Sequence, residues 1–269
     1  MRSAEPTPTP RTLIEAFLPM HGTADLAIVY DTAAAAGIAD QPVRLALRRM
    51  TAAGVIEVSG RGRKAVVQLT DAGRAELEKD RLGLRLALAQ DEGVARWDGN
   101  WRLLAVSTPE AHRKERDSLR RELVDLGAAN VSTGLFISPH DLTEVLGSAH
   151  QAALVRVTAS RVDVRGVSDP VAITQLLWPA EPVLDGYRAL ARTLENVGTP
   201  ATRDPDAALV AQLHLAEALE RALRHDPLIP PELRAQPWPA TQVRQSWRRM
   251  WTHLSTIIPG EGLYPDWLP

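Results

Sequence analysis

The 269-residue chain contains no cysteine. That absence excludes a disulfide framework, a thiolate zinc site, an iron–sulfur cluster and a cysteine nucleophile, and it fits a reducing compartment. An excess of one charge is lacking too: 31 Lys and Arg stand against 33 Asp and Glu, a formal net charge of −2. A protein that coats nucleic acid by bulk charge is far more basic, so any nucleic-acid surface here has to be a local patch. No stretch reaches ~18 uninterrupted apolar residues, so no membrane span is expected. The opening MRSAEPTPTPRTL has no apolar run, so no secretory signal is expected either, and the expected location is cytoplasmic. Enzyme signatures are missing as well. The seven His show no H-x-x-x-H spacing, and there is no G-x-S-x-G elbow, Walker loop or G-x-G-x-x-G fingerprint. His140-Asp141 is a lone pair that reads as a helix start.

What is present is an ordinary globular balance of 45% apolar and 24% charged residues, in a chain long enough for two or three domains. Residues 1–11 alternate Pro with Thr and Glu and read as a disordered or extended lead-in. Residues 12–88 read as helix, helix, helix, hairpin, helix. The helices cover Thr12 to Met20, Asp25 to Ala36 (stopped by Gly37) and Asp40 to about Ala53 (stopped by Gly54), with Asp40 as N-cap. The hairpin pairs Val55–Val58 with Ala65–Leu69 around Ser59–Lys64, and Thr70-Asp71 caps a helix from Ala72 to about Leu88. That order is the order of a winged helix-turn-helix.

Residues 94–168 change character. Trp101–Val106 reads as a strand, Pro109–Leu126 as a charged helix, Asn130–Ile137 as a second strand, His140–His150 as helical and Leu154–Val164 as a third strand. This β-α-β-α-β order predicts a ferredoxin-like sheet with helices on one face. Residues 169–269 read as all-helical, with a Pro-rich joint at Asp226–Leu233 and a surface tail from Pro259. The predicted class is therefore α+β multidomain: winged helix-turn-helix, ferredoxin-like centre, helical C-terminal domain.

The third helix buries Val43, Leu47 and Met50 and turns Arg44, Arg48 and Thr51 the other way, with Arg49 on the flank. Arg61, Arg63 and Lys64 mark the hairpin tip beside Gly60 and Gly62. From Gln41 to Lys64 the basic residues are Arg44, Arg48, Arg49, Arg61, Arg63 and Lys64, against the single acid Glu57. A slightly acidic chain has thus concentrated its positive charge on the two elements that a winged helix presents to double-stranded DNA. The alternative for these residues is a solvated face.

These same stretches carry a resemblance. Val43–Met50, Gly54, Gly60-Arg61 and Leu69-Thr70-Asp71-Ala72-Gly73 resemble the N-terminal domain of the PaaX family of bacterial repressors, best known for controlling phenylacetate breakdown. Trp97-Asp98-Gly99-Asn100-Trp101 resembles the family's W-D-G-x-W element. Gly134–Pro139, Asp226–Leu233 and Trp238-Pro239 extend the resemblance, which covers about residues 12–255 in order. The wing departs from the family's G-R-R-S-x-Y pattern: Gly60-Arg61-Gly62-Arg63-Lys64-Ala65-Val66 has no aromatic. Pro19-Met20-His21-Gly22 likewise stands where the family has a more typical Gly-Asp pair.

The resemblance implies a ligand-responsive repressor that binds an inverted-repeat operator as a homodimer and is released by an acyl-coenzyme A thioester, aromatic as in phenylacetyl-coenzyme A. No cofactor is expected. Effector candidates are Arg113, Lys114 and Arg120 for the phosphates, and Trp101 and Trp178 for the acyl end. The plainer reading makes Trp97 and Trp101 packing rings between domains, Trp247 and Trp251 core or dimer rings, and the cations of helix 109–126 a salt-bridged face. The rival functional reading is an enzyme acting on an acyl thioester or on nucleic acid, with the winged helix as a docking module.

Overall fold

The computed structural model describes residues 8–107, 112–147, 150, 152–198, 204–259 and 262–265. The fold is mixed α+β, with helices and two small antiparallel sheets. It divides into two compact units: Met1–Arg85 with Gly186–Ala222 and Ala240–Pro269, and Leu86–Asp185 with Leu223–Pro239. Helical segments from beyond residue 169 contribute to both.

In the first unit the chain runs α1 (Pro10–Phe17), β1 (Ala24–Asp25), α2 (Leu26–Ala35), α3 (Asp40–Ala52), β2 (Ile56–Ser59), a 3-10 turn (Gly62–Lys64), β3 (Val66–Leu69) and then α4 (Asp71–Asp91), whose residues from Leu86 on belong to the second unit. Each start has a local cause. Thr9 caps α1, with Pro10 in its first turn, and the Asp25 carboxylate accepts the Ala27 N–H to start α2. The expected lead-in is therefore helical from Pro10, and residues 1–7 lie outside the described residues. The N-cap of α3 is Ala39, not Asp40; Asp40 is the first helical residue, and its charge suits the positive end of the helix dipole.

β1, β3 and β2 form the first sheet in that order, with Ile56 opposite Leu69 and Ala24 opposite Val67. Thr70 then explains the Leu69–Gly73 motif. Its hydroxyl donates to the Gly54 carbonyl at 2.5 Å and accepts the Gly73 N–H at 3.0 Å, capping α4. A Cβ on Gly73 would sit 2.0 Å from the Val55 carbonyl oxygen, so only glycine lets this helix approach β2.

The remaining helical parts of this unit belong to α7 (Ala180–Val197), α8 (Pro205–Arg224) and α9 (Pro239–Ser255). Two buried charged groups there, Glu217 and Arg244, are paired. The Glu217 carboxylate accepts from the Thr12 hydroxyl at 2.5 Å and from Arg221 at 2.8 Å, and Arg244 donates to the Tyr187 hydroxyl at 2.7 Å. Trp247 and Trp251 stack at 5.0 Å, and the Trp247 indole N–H donates to the Leu215 carbonyl at 3.0 Å, which makes both core rings. The expected surface tail is packed where it is described: Leu263 is buried and the Tyr264 N–H donates to the Ala16 carbonyl at 2.6 Å.

The second unit holds β4 (Trp101–Val106), α5 (Arg113–Asp125), β5 (Ala129–Ser132), β6 (Leu135–Ser138), β7 (Leu154–Ala159) and α6 (Pro170–Leu177). The strand order is β5-β6-β4-β7, all antiparallel. The expected single strand over 130–137 is in fact two strands, folded back at Thr133-Gly134 with Gly134 at φ 77°. The expected third strand stops at Ala159, and Val164 only bridges Val167. Over 141–147 the chain makes turns instead of the expected helix; residues 148 and 149 lie outside the described set, as do residues 108–111 at the expected start of α5.

Period-2 alternation divides the core between the two sheet faces. Leu104 and Phe136 pack with Leu119 and Leu123 of α5 on one face. Trp101 and Ile137 pack with Ile173, Ile229 and Leu233 on the other.

Candidate functional site

Two features stand out, one in each unit. The first is the exposed side of α3 with the hairpin tip. Val43, Leu47 and Met50 anchor α3, and their spacing turns Arg44, Arg48, Arg49 and Thr51 outward, all four exposed. Gly60 at φ 97° and Gly62 at φ 62° shape the tip, which exposes Arg61, Arg63 and Lys64.

The six cations are not equivalent. Arg44 donates to Asp40 at 3.1 Å. Arg63 donates to Asp31 at 2.5 Å, lies 3.9 Å from Asp40 and sits over the Tyr30 ring at 5.5 Å. Arg63 therefore folds back on its own unit and does not point outward from the tip. Among the described residues, the side chains of Arg48, Arg49, Arg61 and Lys64 have no hydrogen-bond or ion-pair partner. Gln41 and Leu45 share the exposed side of α3 and went unnoticed because neither carries charge; Leu45 is 43% exposed, the large apolar side chain on a surface whose other exposed apolar members are the small Pro42 and Ala52.

The second feature is a pocket of about 150 Å³ in the other unit. Trp178, Ala180, Val183, Ile229 and Leu233 give it apolar walls, and Asp226, Arg234 and Trp238 supply charge and indole. Arg234 is buried, donates to Gln90 at 3.0 Å and stacks over the Trp238 ring at 5.1 Å. The Trp178 indole N–H donates to the Gly127 carbonyl at 2.9 Å, and its ring lies parallel to Trp101 at 6.3 Å.

Of the candidate effector residues, only Trp178 lines this pocket. Trp101 is 1% exposed and belongs to the core, so it can act on the pocket only through Trp178. Arg113, 3.8 Å from Asp117, and Lys114 are exposed on α5, Arg120 is half-buried, and none reaches the pocket wall. The pocket's cation, Arg234, was missed. The sequence signal for it was the Pro-rich Asp226–Leu233 stretch with Trp238, which reads as a joint until the chain is folded.

The W-D-G-x-W turn leads into β4. Gly99 at φ 79° makes the turn, and Asp98 accepts from the Asn100 N–H at 3.0 Å and grips Arg102 with two bonds of 2.8 and 2.5 Å. The Arg102 guanidinium holds the Asp98 carboxyl well below the usual carboxylate range. The Trp97 indole N–H donates to the Asn100 carbonyl at 3.0 Å, and its ring meets Trp101 at 5.4 Å. These rings pack within one unit.

Nearby, burial pushes the His140 imidazole down, and its Nε2 lies 2.8 Å from the Leu228 carbonyl oxygen. No cluster of three metal-ligating side chains occurs among the described residues, and none of their helices is long and apolar enough to cross a membrane.

Fold and sites together define a mixed α+β protein with a cationic helix-and-hairpin surface and a small tryptophan-lined pocket. Residues 94–173 match the family model for the PaaX protein central Cas2-like domain, and residues 178–257 match that for the PaaX-like protein C-terminal domain. The chain is 26% identical over 226 residues to the transcriptional repressor PaaX of Escherichia coli (strain K12), covering 78% of this chain and 67% of that protein. It also resembles the solved structure of the uncharacterized protein Rv0674 from Mycobacterium tuberculosis, with a TM-score of 0.57, 25% identity, and coverage of 92% of this chain and 94% of that one. The chain belongs to the PaaX family. The likeness points to a regulator of transcription.

Proposed function

We propose that this protein is a ligand-responsive transcriptional repressor that binds operator DNA as a homodimer and is released by an acyl-coenzyme A effector. The helix–strand–helix–helix–hairpin order with sheet order β1-β3-β2 supports a winged helix-turn-helix, with α3 in the major groove and the hairpin as wing. The strand order β5-β6-β4-β7 supports a ferredoxin-like centre, followed by a helical C-terminal region.

The observation that carries the DNA reading is the set of exposed, unpaired cations Arg48, Arg49, Arg61 and Lys64 on α3 and the wing of a chain whose net charge is −2. Arg44, Arg63 and Thr51 complete the surface. Dimers match half-site spacing, which supports a two-fold operator complex.

For the effector, a cavity of about 150 Å³ is the size that holds one aromatic ring. The acyl end would occupy it against Trp178 and Trp238 near Arg234, with the coenzyme outside. Arg113, Lys114 and Arg120, the candidates for the phosphates, do not line this pocket. The effector has to bind the DNA-free conformation more tightly than the DNA-binding one, or it shifts nothing.

The test is fluorescence anisotropy of the full chain on its own upstream DNA, with and without phenylacetyl-coenzyme A and related thioesters. Specific binding that the thioester releases without being consumed supports the reading. Equal affinity for upstream and random duplex refutes it, and turnover of the thioester or cutting of the DNA favours an enzyme.

A further inference from the structure

Resting on the DNA-binding reading of α3, the geometry leads us to propose which side chains touch base edges. Gln41, Leu45 and Arg48 form the reading stripe, and Leu45 docks on the C5-methyl group of a thymine. Arg44, which the sequence sets beside Arg48 as a candidate, is a positioning residue.

The helical period sets out the stripe. Residues 41, 45, 48 and 52 recur at i, i+4, i+7 and i+11, opposite the buried Val43, Leu47 and Met50, and all four are exposed. Gln41 stands in the first turn of α3, which begins at Asp40. The N-terminal residues of such a helix are the ones that contact base edges. From Gln41 to Arg48 the axial rise is about 10 Å, or about three base-pair steps.

The neighbours explain why Arg44 is not in this stripe. Its guanidinium is held by Asp40 at 3.1 Å, and the same carboxylate faces Arg63, which Asp31 holds at 2.5 Å. Two carboxylates and two guanidiniums thus form a chain from α2 across the start of α3 to the wing. This clasp links the wing to the helices and offsets the charge of Arg44 and Arg63 with nearby carboxylates.

The stripe then offers three chemistries in order. An amide can bridge adenine N6 and N7, an aliphatic group suits the thymine methyl, and a free guanidinium can bridge guanine O6 and N7. Leu45 is the telling member. At 43% exposure it lies outside the core that Val43, Leu47 and Met50 fill, and its neighbours on the helix surface are Gln41, Pro42, Arg48 and Arg49.

The probe is a duplex selected from a random pool by the full-length protein. Each thymine in the selected site is replaced in turn by deoxyuridine, which removes only the methyl group, and affinity is measured by anisotropy. Wild-type protein is expected to lose about fourfold at one thymine per half-site, the transfer value of one methyl. Leu45→Ala should bind the thymine duplex more weakly and show no further loss on that replacement; Leu45→Gln, polar at an exposed position, gives a second readout of the same kind. Repeating the selection with Arg44→Ala should return the wild-type sequence, while Gln41→Ala and Arg48→Ala should relax it. The proposal is overturned if no thymine methyl matters, if Leu45→Ala keeps full sensitivity, or if Arg44→Ala relaxes the sequence. A pool that never converges overturns the DNA-binding reading along with it, whereas a converged, methyl-insensitive site overturns only the stripe.

Discussion

Replacing Arg61 and Lys64 together with Ala tests the wing most directly. Both are exposed and unpaired among the described residues, so each is available to neutralise one phosphate. Each phosphate contact contributes about 0.9 to the slope of log K against log salt. The double variant should therefore flatten that slope by about two units per protomer, and by about four for a dimer on two half-sites. Specific and non-specific binding should weaken together, because phosphates carry no sequence. Arg63→Ala should behave differently. Its cation is already matched by Asp31, so the slope should stay near the wild-type value. The loss should fall on wing stability instead, and that pair is half exposed or more on both sides, which keeps it under ~1 kcal/mol. Asp31→Asn would free Arg63 and steepen the slope by up to about one unit per protomer. The assay is anisotropy on operator and random duplex from about 50 to about 300 mM salt, the range in which counterion release dominates. A wild-type slope in the double variant would refute the wing's contact with the backbone. A drop in Arg63→Ala equal to that of Arg61→Ala would refute the clasp.

Three other perturbations probe the rest of the molecule. Gly73→Ala drives a methyl into the Val55 carbonyl, and thermal unfolding should show a loss of about 3 kcal/mol, at the upper end for overpacking; a melting temperature within a degree or so of wild type would sink this account of the motif. Ala235→Phe fills the pocket from an exposed position on its wall, so calorimetry should show effector binding lost while anisotropy shows operator affinity kept; undiminished effector heat would place the site elsewhere. For His140 the folded imidazole is held below its ordinary value by burial, with Arg234 and Arg102 adding to the effect, so the unfolded chain binds the proton more readily. Stability should be full above the ordinary histidine value and decline as pH falls from there towards the folded value. Chemical unfolding of wild type and His140→Gln between pH 8 and about pH 5 checks the sign, and the variant should lose that part of the pH dependence.

The helices around the first sheet were legible because each boundary carries its own local signal. Asp25 caps α2, Gly37 and Gly54 stop α2 and α3, and Thr70 caps α4. The second sheet was harder because its signals are weak or shared. Asn130–Ile137 reads as one strand because its turn is only Thr133-Gly134, where Gly134 takes a positive φ and β5 folds back on β6. Leu142 and Leu146 have helical spacing, yet over 141–147 the chain makes turns. Asp141 holds the Thr143 N–H at 2.9 Å, and both leucines bury against the α5 face of the sheet. Tertiary burial there overrides a pattern that local propensity would extend into a helix.

The candidate sites divide in the same way, by the range of the interaction that decides them. That positive charge gathers on α3 and the wing is a property of composition, visible without coordinates. Which of those cations is free is not. Arg63 is neutralised by a carboxylate 32 residues earlier, and counting charges between Gln41 and Lys64 leaves that carboxylate out of the count. The pocket poses the same problem over a longer span. Trp178 was legible as a lone aromatic at a helix end, but its partners Arg234 and Trp238 arrive after a proline-rich stretch, and Gln90, which anchors Arg234, lies 144 residues away from it. The buried Arg234 guanidinium donates a hydrogen bond to Gln90 and lies over the face of Trp238, so its site depends on residues far apart in the chain. Periodicity finds faces and charge counts find surfaces; a pocket with a buried cation is found only when the segments that line it have been brought together.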